Sequence, residues 1–249
     1  MHALIVHCHP EPDSFNAALT ATARHKLTEA GATVTVSDLY AEGFDPVEGP
    51  QHYAERADDE YFSALTEQRH AGNTAARPAD VQREIERLEA ADLVVLQFPL
   101  WWHAQPAMLK GWFDRVLVYG GLYTGRKRYD EGYFRGRRAI CSVTTGGPAL
   151  TFSRHGRGGP IERLLWPIHY SLHYMGFDVL PPHVAYGVQG GGIAYQDKAA
   201  LKTHLEAYKT SWHERLTWID HAQRLPFTGW ADWTEDGRLR SDHPQRWLA

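Results

Sequence analysis

Leu93-Val94-Val95-Leu96, then Gln97-Phe98, then Pro99-Leu100-Trp101-Trp102-His103-Ala104-Gln105-Pro106 is the stretch that decides the fold. A short, continuous apolar run suits a strand buried on both faces, as in a parallel sheet. It is flanked by helical patterns. Ala79 to Ala90 places Val81, Ile85 and Leu88 on one face, and Gln105 to Val118 carries Pro106 in its first turn, where proline is tolerated. Upstream, Ala3-Leu4-Ile5-Val6 reads as another buried strand. A helix follows it, with Ser14 at the N-cap, Phe15, Ala18, Leu19 and Ala23 at helical spacing, and an end near Gly31. Thr33 to Leu39 alternates like a strand. Downstream come a strand at Ala139–Val143, a helix at Ile161–Tyr174, a strand opening at Phe177–Leu180 and a long helix from Gln196 to Arg224. Strands alternating with helices imply a doubly wound α/β sheet of five parallel strands, with helices on both faces. Ala41 to Pro78, rich in charge, Gly and Pro, reads as a long excursion carrying one short helix. The reading makes 1–224 one domain and 225–249 an irregular C-terminal tail.

The chain has 249 residues and a formal net charge of −4, with acids and bases interspersed. That is a solvated surface and not the basic stripe that nucleic acid requires. Cys8 and Cys141 fall in or just after apolar runs, which fits buried thiols in a reducing compartment. His7 and His9 interrupt the first apolar run, so no signal segment is read there. No stretch is long enough to span a bilayer, and the expectation is a cytoplasmic protein without stable membrane insertion. Fifteen histidines form no metal motif. His169 and His173 sit at i, i+4 spacing and are expected on the helix surface or in the core, so no metal is assigned.

In open α/β sheets, ligands bind outside the carboxyl ends of the strands, where the strand order switches. Three loops leave such ends. His9 to Asn16 runs into a helix N-terminus, where free N–H groups and the helix dipole attract anions. Ser14 and Asn16 add donors; the alternative is an ordinary capped helix. Trp101-Trp102-His103 offers a wall for a flat ring, or packs under a neighbour. Thr144-Thr145-Gly146-Gly147 exposes N–H groups to a close ligand, or makes a tight turn. Their agreement points to one crevice.

The residues that carry a resemblance are "ALIVHCHPEPDSFNAAL" from Ala3, "SDLYAEGFDPV" from Ser37 and "LEAADLVVLQFPLWWHAQPAMLKGWFDRV" from Leu88, then "TTGG" from Thr144, "LLWPI" from Leu164 and "GFDVLPP" from Gly176. In this order they resemble the NAD(P)H quinone dehydrogenases of the DT-diaphorase type, in the flavodoxin-like superfamily. The match runs to about Tyr186 and decays beyond it. The resemblance implies the strand order 2-1-3-4-5 and a homodimer with its active site at the interface. It also implies a bound flavin, FAD rather than FMN, and a two-electron ping-pong cycle from NADH or NADPH to a quinone-type acceptor. It would have His9, Ser14, Phe15 and Asn16 hold the pyrophosphate. Pro99, Leu100, Trp101, Trp102 and His103 would lie along the isoalloxazine, and Thr144, Thr145, Gly146 and Gly147 at its polar edge. Tyr123 and Tyr129 would act at the acceptor pocket across the interface.

The chain departs from the family at three points. His103 stands where the mammalian type has phenylalanine, and Phe152 and Gly158 replace a tyrosine and a histidine that stabilise charge on the reduced flavin. His155 is the candidate substitute, with Arg154 and Arg157 as electrostatic alternatives or contacts to nucleotide phosphates. Three rival readings share the fold: an azo- or nitro-compound reductase, a flavin-binding regulatory subunit of a potassium-efflux system, and an electron-transfer flavodoxin. The Gly-rich "VQGGGIAYQ" falls where the adenine should be held.

Overall fold

The computed structural model describes residues 1–189 and 197–243. Six strands, β1 (His2–His7), β2 (Thr33–Asp38), β3 (Leu93–Pro99), β4 (Arg138–Thr144), β5 (Asp178–Val179) and β6 (His183–Ala185), form one parallel sheet. Its order is β2-β1-β3-β4-β5, with β6 also paired to β4. The expected order 2-1-3-4-5 therefore holds, and the expected count of five becomes six. The physical reason is Pro181-Pro182, which lacks two N–H groups and breaks the edge into β5 and β6 with a one-residue register slip along β4.

The helices are α1 (Phe15–Glu29), α2 (Ala64–Asn73), α3 (Ala79–Ala90), α4 (Ala107–Val116), α5 (Ile161–Tyr174) and α6 (Lys198–Thr217). α1 and α6 cover one face of the sheet, over Ala3, Ile5, Val95 and Ile140. α3, α4 and α5 cover the other, over Leu4, Val6, Val94, Leu96 and Cys141. β3 is buried along its whole length, as a central parallel strand must be. α6 stops at Thr217 and not at Arg224: Trp218 caps it and a 3-10 turn follows at Ile219–His221. Its expected first residue, Gln196, and most of "VQGGGIAYQ" lie outside the described residues.

The excursion from Ala41 to Pro78 is well anchored and carries the expected short helix, α2. Gln68 of α2 donates to Asp114 O (3.0 Å) and accepts from Tyr119 N (3.1 Å). Earlier in the same segment, Pro46 lies directly on Gly111 of α4, where a Cβ would fall 2.0 Å from Pro46 O. The buried Glu67 would have a raised pKa from burial alone, but Ala57 N–H and Arg56 hold it below the usual carboxylate range. Residues 225–243 also pack on the domain. Leu225 N–H donates to Val179 O (2.7 Å), Phe227 stacks on His173, and Trp230 and Trp233 flank Tyr129. No helix among the described residues is long and apolar enough to cross a membrane.

Candidate active site

The carboxyl ends of β1, β3 and β4 bring the three loops together. The first loop folds on itself: Glu11 N–H donates to His9 Nδ1 (3.1 Å), and Ser14 N–H donates to Glu11 O (3.2 Å). Ser14 is the N-cap of α1, and its hydroxyl oxygen accepts from Ala17 N (3.1 Å). Capping leaves the first-turn N–H groups of Phe15 and Asn16 without intrahelical acceptors. With no acidic residue in that turn, its free N–H groups suit an anion.

The second loop is a two-residue hairpin. Trp101 and Ala104 exchange both backbone hydrogen bonds, each at 3.0 Å. The turn residues between them, Trp102 and His103, both take positive φ, 51° and 62°. A type I′ turn needs that backbone and normally fills it with Asn-Gly. Two bulky side chains there are strained, and such strain concentrates at functional sites. The turn sends Trp102 outward, 96% exposed, while the Trp101 ring lies 5.9 Å from His9. Leu100 is half-buried behind the hairpin, and Pro99 is buried at the end of β3.

The third loop closes the corner. Leu100 N–H donates to Thr144 O (2.8 Å), which joins the second and third loops. The Asn16 amide donates to Thr144 Oγ1 (3.0 Å), which joins the first and third. Thr145 is turned inward, its N–H on Ala185 O and its hydroxyl on Gly147 O (both 2.9 Å). The N–H groups of Gly146 and Gly147 are bonded to no described residue, and a Cβ on Gly146 would meet only Val188 O, at 3.9 Å. Backbone donors and open space coincide there, as a close-lying planar ligand edge requires. Sequence reasoning missed Gln97. It is fully buried, and its Nε2 donates to Asn16 Oδ1 (2.9 Å). The available signal was a lone glutamine in an otherwise apolar strand.

Two expected residues, Tyr123 and Tyr129, lie apart from this corner, and a third, His155, is tied to it by no described hydrogen bond. His155 is exposed and hydrogen-bonds no described residue. It sits in the loop that also holds Phe152 and Gly158. There the Phe152 ring leans on Tyr186 (6.0 Å), and a Cβ on Gly158 would stand 3.2 Å from the Phe152 ring. Tyr123 packs edge-on against Tyr119 and Tyr174. Tyr129 packs against Tyr174 and the C-terminal segment. α5 ends at Tyr174, on the side where β5 begins and opposite the crevice, so both tyrosines are far from their own chain's crevice. His169 and His173 are core residues: both are buried, and His173 Nε2–H donates to Thr228 O (2.8 Å). No metal-binding cluster occurs among the described residues. Both cysteines are buried and free, and burial pushes the Cys8 thiol up to about 12. An open groove of about 720 Å³ runs along α1 from the first loop, lined by Pro12, Ala17, Thr20, Arg24, Val36 and Asp38 among others.

The helix end with its free N–H groups, the aromatic hairpin and the paired glycine donors fit a phosphate-bearing flat heterocycle. The flavodoxin-like fold family matches residues 1–211. The chain is 38% identical over 213 residues to the mouse ribosyldihydronicotinamide dehydrogenase (quinone), covering 85% of this chain and 92% of that one. It is 42% identical over 188 residues to rat NAD(P)H dehydrogenase (quinone) 1, covering 75% and 69%. A crystal structure from Klebsiella pneumoniae, described as a quinone reductase, superposes with a TM-score of 0.88 at 34% identity, covering 96% of this chain and 94% of that one.

Proposed function

The chain belongs to the flavodoxin-like family, in the group that holds the quinone dehydrogenases, and on that premise we propose that it is a flavin-dependent NAD(P)H:quinone oxidoreductase. The observation that carries the reading is the Asn16–Thr144–Leu100 junction, which locks three ligand-facing loops into one crevice at the sheet's switch point.

A bound flavin would take a hydride from a dihydronicotinamide and pass it to the acceptor. The chain's part is to hold and orient. The N–H groups of Phe15 and Asn16, with His9 and Ser14, would face the phosphates. Leu100, Trp101, Trp102 and His103 would wall the ring, with Pro99 backing them from the core. Gly146 and Gly147 N–H and the Thr144 hydroxyl would face its polar edge, and Thr145 holds their turn in place. Donors aimed at that edge stabilise negative charge there. Because Phe152 and Gly158 bring no proton-bearing group, the cation falls to His155, with Arg154 or Arg157 beside it. FAD is the proposed flavin, and NADH or NADPH the donor.

We also propose a homodimer. Trp102, 96% exposed, has no wall opposite it in one chain, and Tyr123 and Tyr129 lie at the other end of the sheet. A two-fold partner would bring those tyrosines to the crevice.

The test is to release and identify the flavin, then follow oxidation of NADH, NADPH and dihydronicotinamide riboside with menadione as acceptor. Parallel-line kinetics with a yellow protein support the reading. A flavin-loaded protein that reduces no quinone rejects it.

A further inference from the structure

One register row crosses the sheet directly beneath the crevice: Gln97 on β3, Ser142 on β4 and His183 on β6. All three face the α1/α6 side, and the His183 ring stacks on Trp212 of α6 (4.8 Å). Gln97 Oε1, Ser142 Oγ and His183 Nδ1 are each buried without a hydrogen-bond partner among the described residues. Buried polar atoms are rarely left so, and three in one row mark a site.

The protonation pattern of the row can be derived. Ser211 has one hydroxyl proton, and it donates to Tyr208 O (3.0 Å). The His183 Nε2–Ser211 Oγ bond (3.1 Å) must therefore run from Nε2–H to Oγ. Burial keeps this imidazole neutral, its pKa lowered to about 4, so Nδ1 is a bare acceptor. Gln97 Nε2 donates to Asn16, so Oε1 is left as a second acceptor. Two acceptors cannot bond each other. With the Ser142 hydroxyl between them, they call for a molecule with two protons to give and one lone pair to take. Neighbouring strands lie about 4.8 Å apart. Serine is the short residue between two long ones, so a group seated above its Cβ would be flanked by both, at hydrogen-bond distances of about 2.8 Å.

We propose that Gln97, Ser142 and His183 bind one ordered internal water, and that Gln97 is thereby a positioning residue for the crevice. The water donates to Gln97 Oε1 and His183 Nδ1 and accepts from Ser142 Oγ–H, three bonds in all, the usual number for a buried water. It fixes which way the Gln97 amide faces. Gln97 Nε2 then donates to Asn16 Oδ1, and Asn16 Nδ2 donates to Thr144 Oγ1. Since Thr144 Oγ1 accepts, its hydroxyl proton is left to point into the crevice. Without the water the amide can turn over, Asn16 follows, and Thr144 donates inward. The water site stands on the orphaned atoms alone; its effect on a flavin rests on the reading proposed above.

The test has two arms. In a high-resolution crystal structure of the protein, one density peak within hydrogen-bond distance of all three atoms is expected. Its absence, or a direct Gln97–Ser142 bond, overturns the proposal whether or not a flavin is bound. In the flavin-loaded protein, Ser142→Val fills the site with methyl groups and Gln97→Met removes the relay. Each should weaken flavin binding roughly three- to tenfold, the worth of one hydrogen bond. Each should also lower the flavin's midpoint potential, because a donor to the reduced ring is lost. The double variant should be no worse than Gln97→Met, and Ser142→Ala, which keeps the space, should bind nearly as wild type. Additive losses, or an unchanged potential in Ser142→Val, overturn the positioning role. A protein that takes up no flavin rejects the functional reading and leaves the density to judge the water.

Discussion

Trp102 and His103 stand side by side with φ of 51° and 62°, at the tip of a hairpin closed by two Trp101–Ala104 hydrogen bonds. The left-handed region costs a non-glycine residue about 1–2 kcal/mol. Replacing the pair by Asn-Gly, the preferred occupants of a type I′ turn, should therefore stabilise the chain by about 1–2 kcal/mol in urea unfolding. Trp102 buries almost nothing within one chain, so no packing inside the chain is lost. Quinone reduction should fall at least about tenfold, because the wall of the crevice is gone. An unchanged stability would mean that the hairpin is not strained.

Gly111 gives the opposite kind of prediction. A Cβ there would lie 2.0 Å from Pro46 O and 2.5 Å from Pro46 Cα, and both are backbone atoms that cannot swing aside. Gly111→Ala must push the excursion off α4 and should cost about 2–3 kcal/mol, measured by denaturant unfolding. Gly146→Ala, whose Cβ meets nothing closer than 3.9 Å, should leave stability within about 0.5 kcal/mol and weaken flavin binding instead.

The elements legible in the sequence were those with one dominant cause. Leu93–Leu96 and Ala139–Val143 are unbroken apolar runs, and a strand buried on both faces needs nothing else. β6 was hidden because His-Val-Ala after two prolines carries no pattern of its own; it exists only because β4 offers it an edge. The end of α6 was overrun because residues 218–224 stay compatible with a helix while tertiary packing turns them away. At the site, loop composition pointed to the crevice. The hairpin at 101–104 was invisible because no Asn or Gly announces it, and the link from Gln97 to Asn16 joins positions 81 residues apart.

His155 is a proposed charge-bearing group whose removal should leave the fold untouched. It is exposed and bonds no described residue, so His155→Ala should keep stability within about 0.5 kcal/mol. If it supplies the cation beside the reduced flavin, stopped-flow flavin reduction by NADH should slow by about tenfold. A rate equal to wild type removes His155 from the mechanism and leaves Arg154 and Arg157 to be tested in the same way.

Stability should depend on pH through histidines buried in neutral form. His169 is buried, with Nε2 unpaired among the described residues, and burial lowers its pKa from 6.5 to about 4. Burial also lowers His7, His173 and, to about 4, His183. In each case the unfolded chain takes up the proton first. For His169 and His183 the stabilising contribution is therefore complete above about 6.5 and is lost as pH falls from there towards about 4, and His7 and His173 act in the same direction. Each such histidine contributes a slope of up to about 1.4 kcal/mol per pH unit within that window. His169→Leu removes one of them together with its unpaired nitrogen. It should flatten the acid limb of the Tm–pH curve and raise stability at neutral pH by about 1 kcal/mol. An acid limb as steep as in the wild type would show that His169 is charged, or paired, in the folded protein.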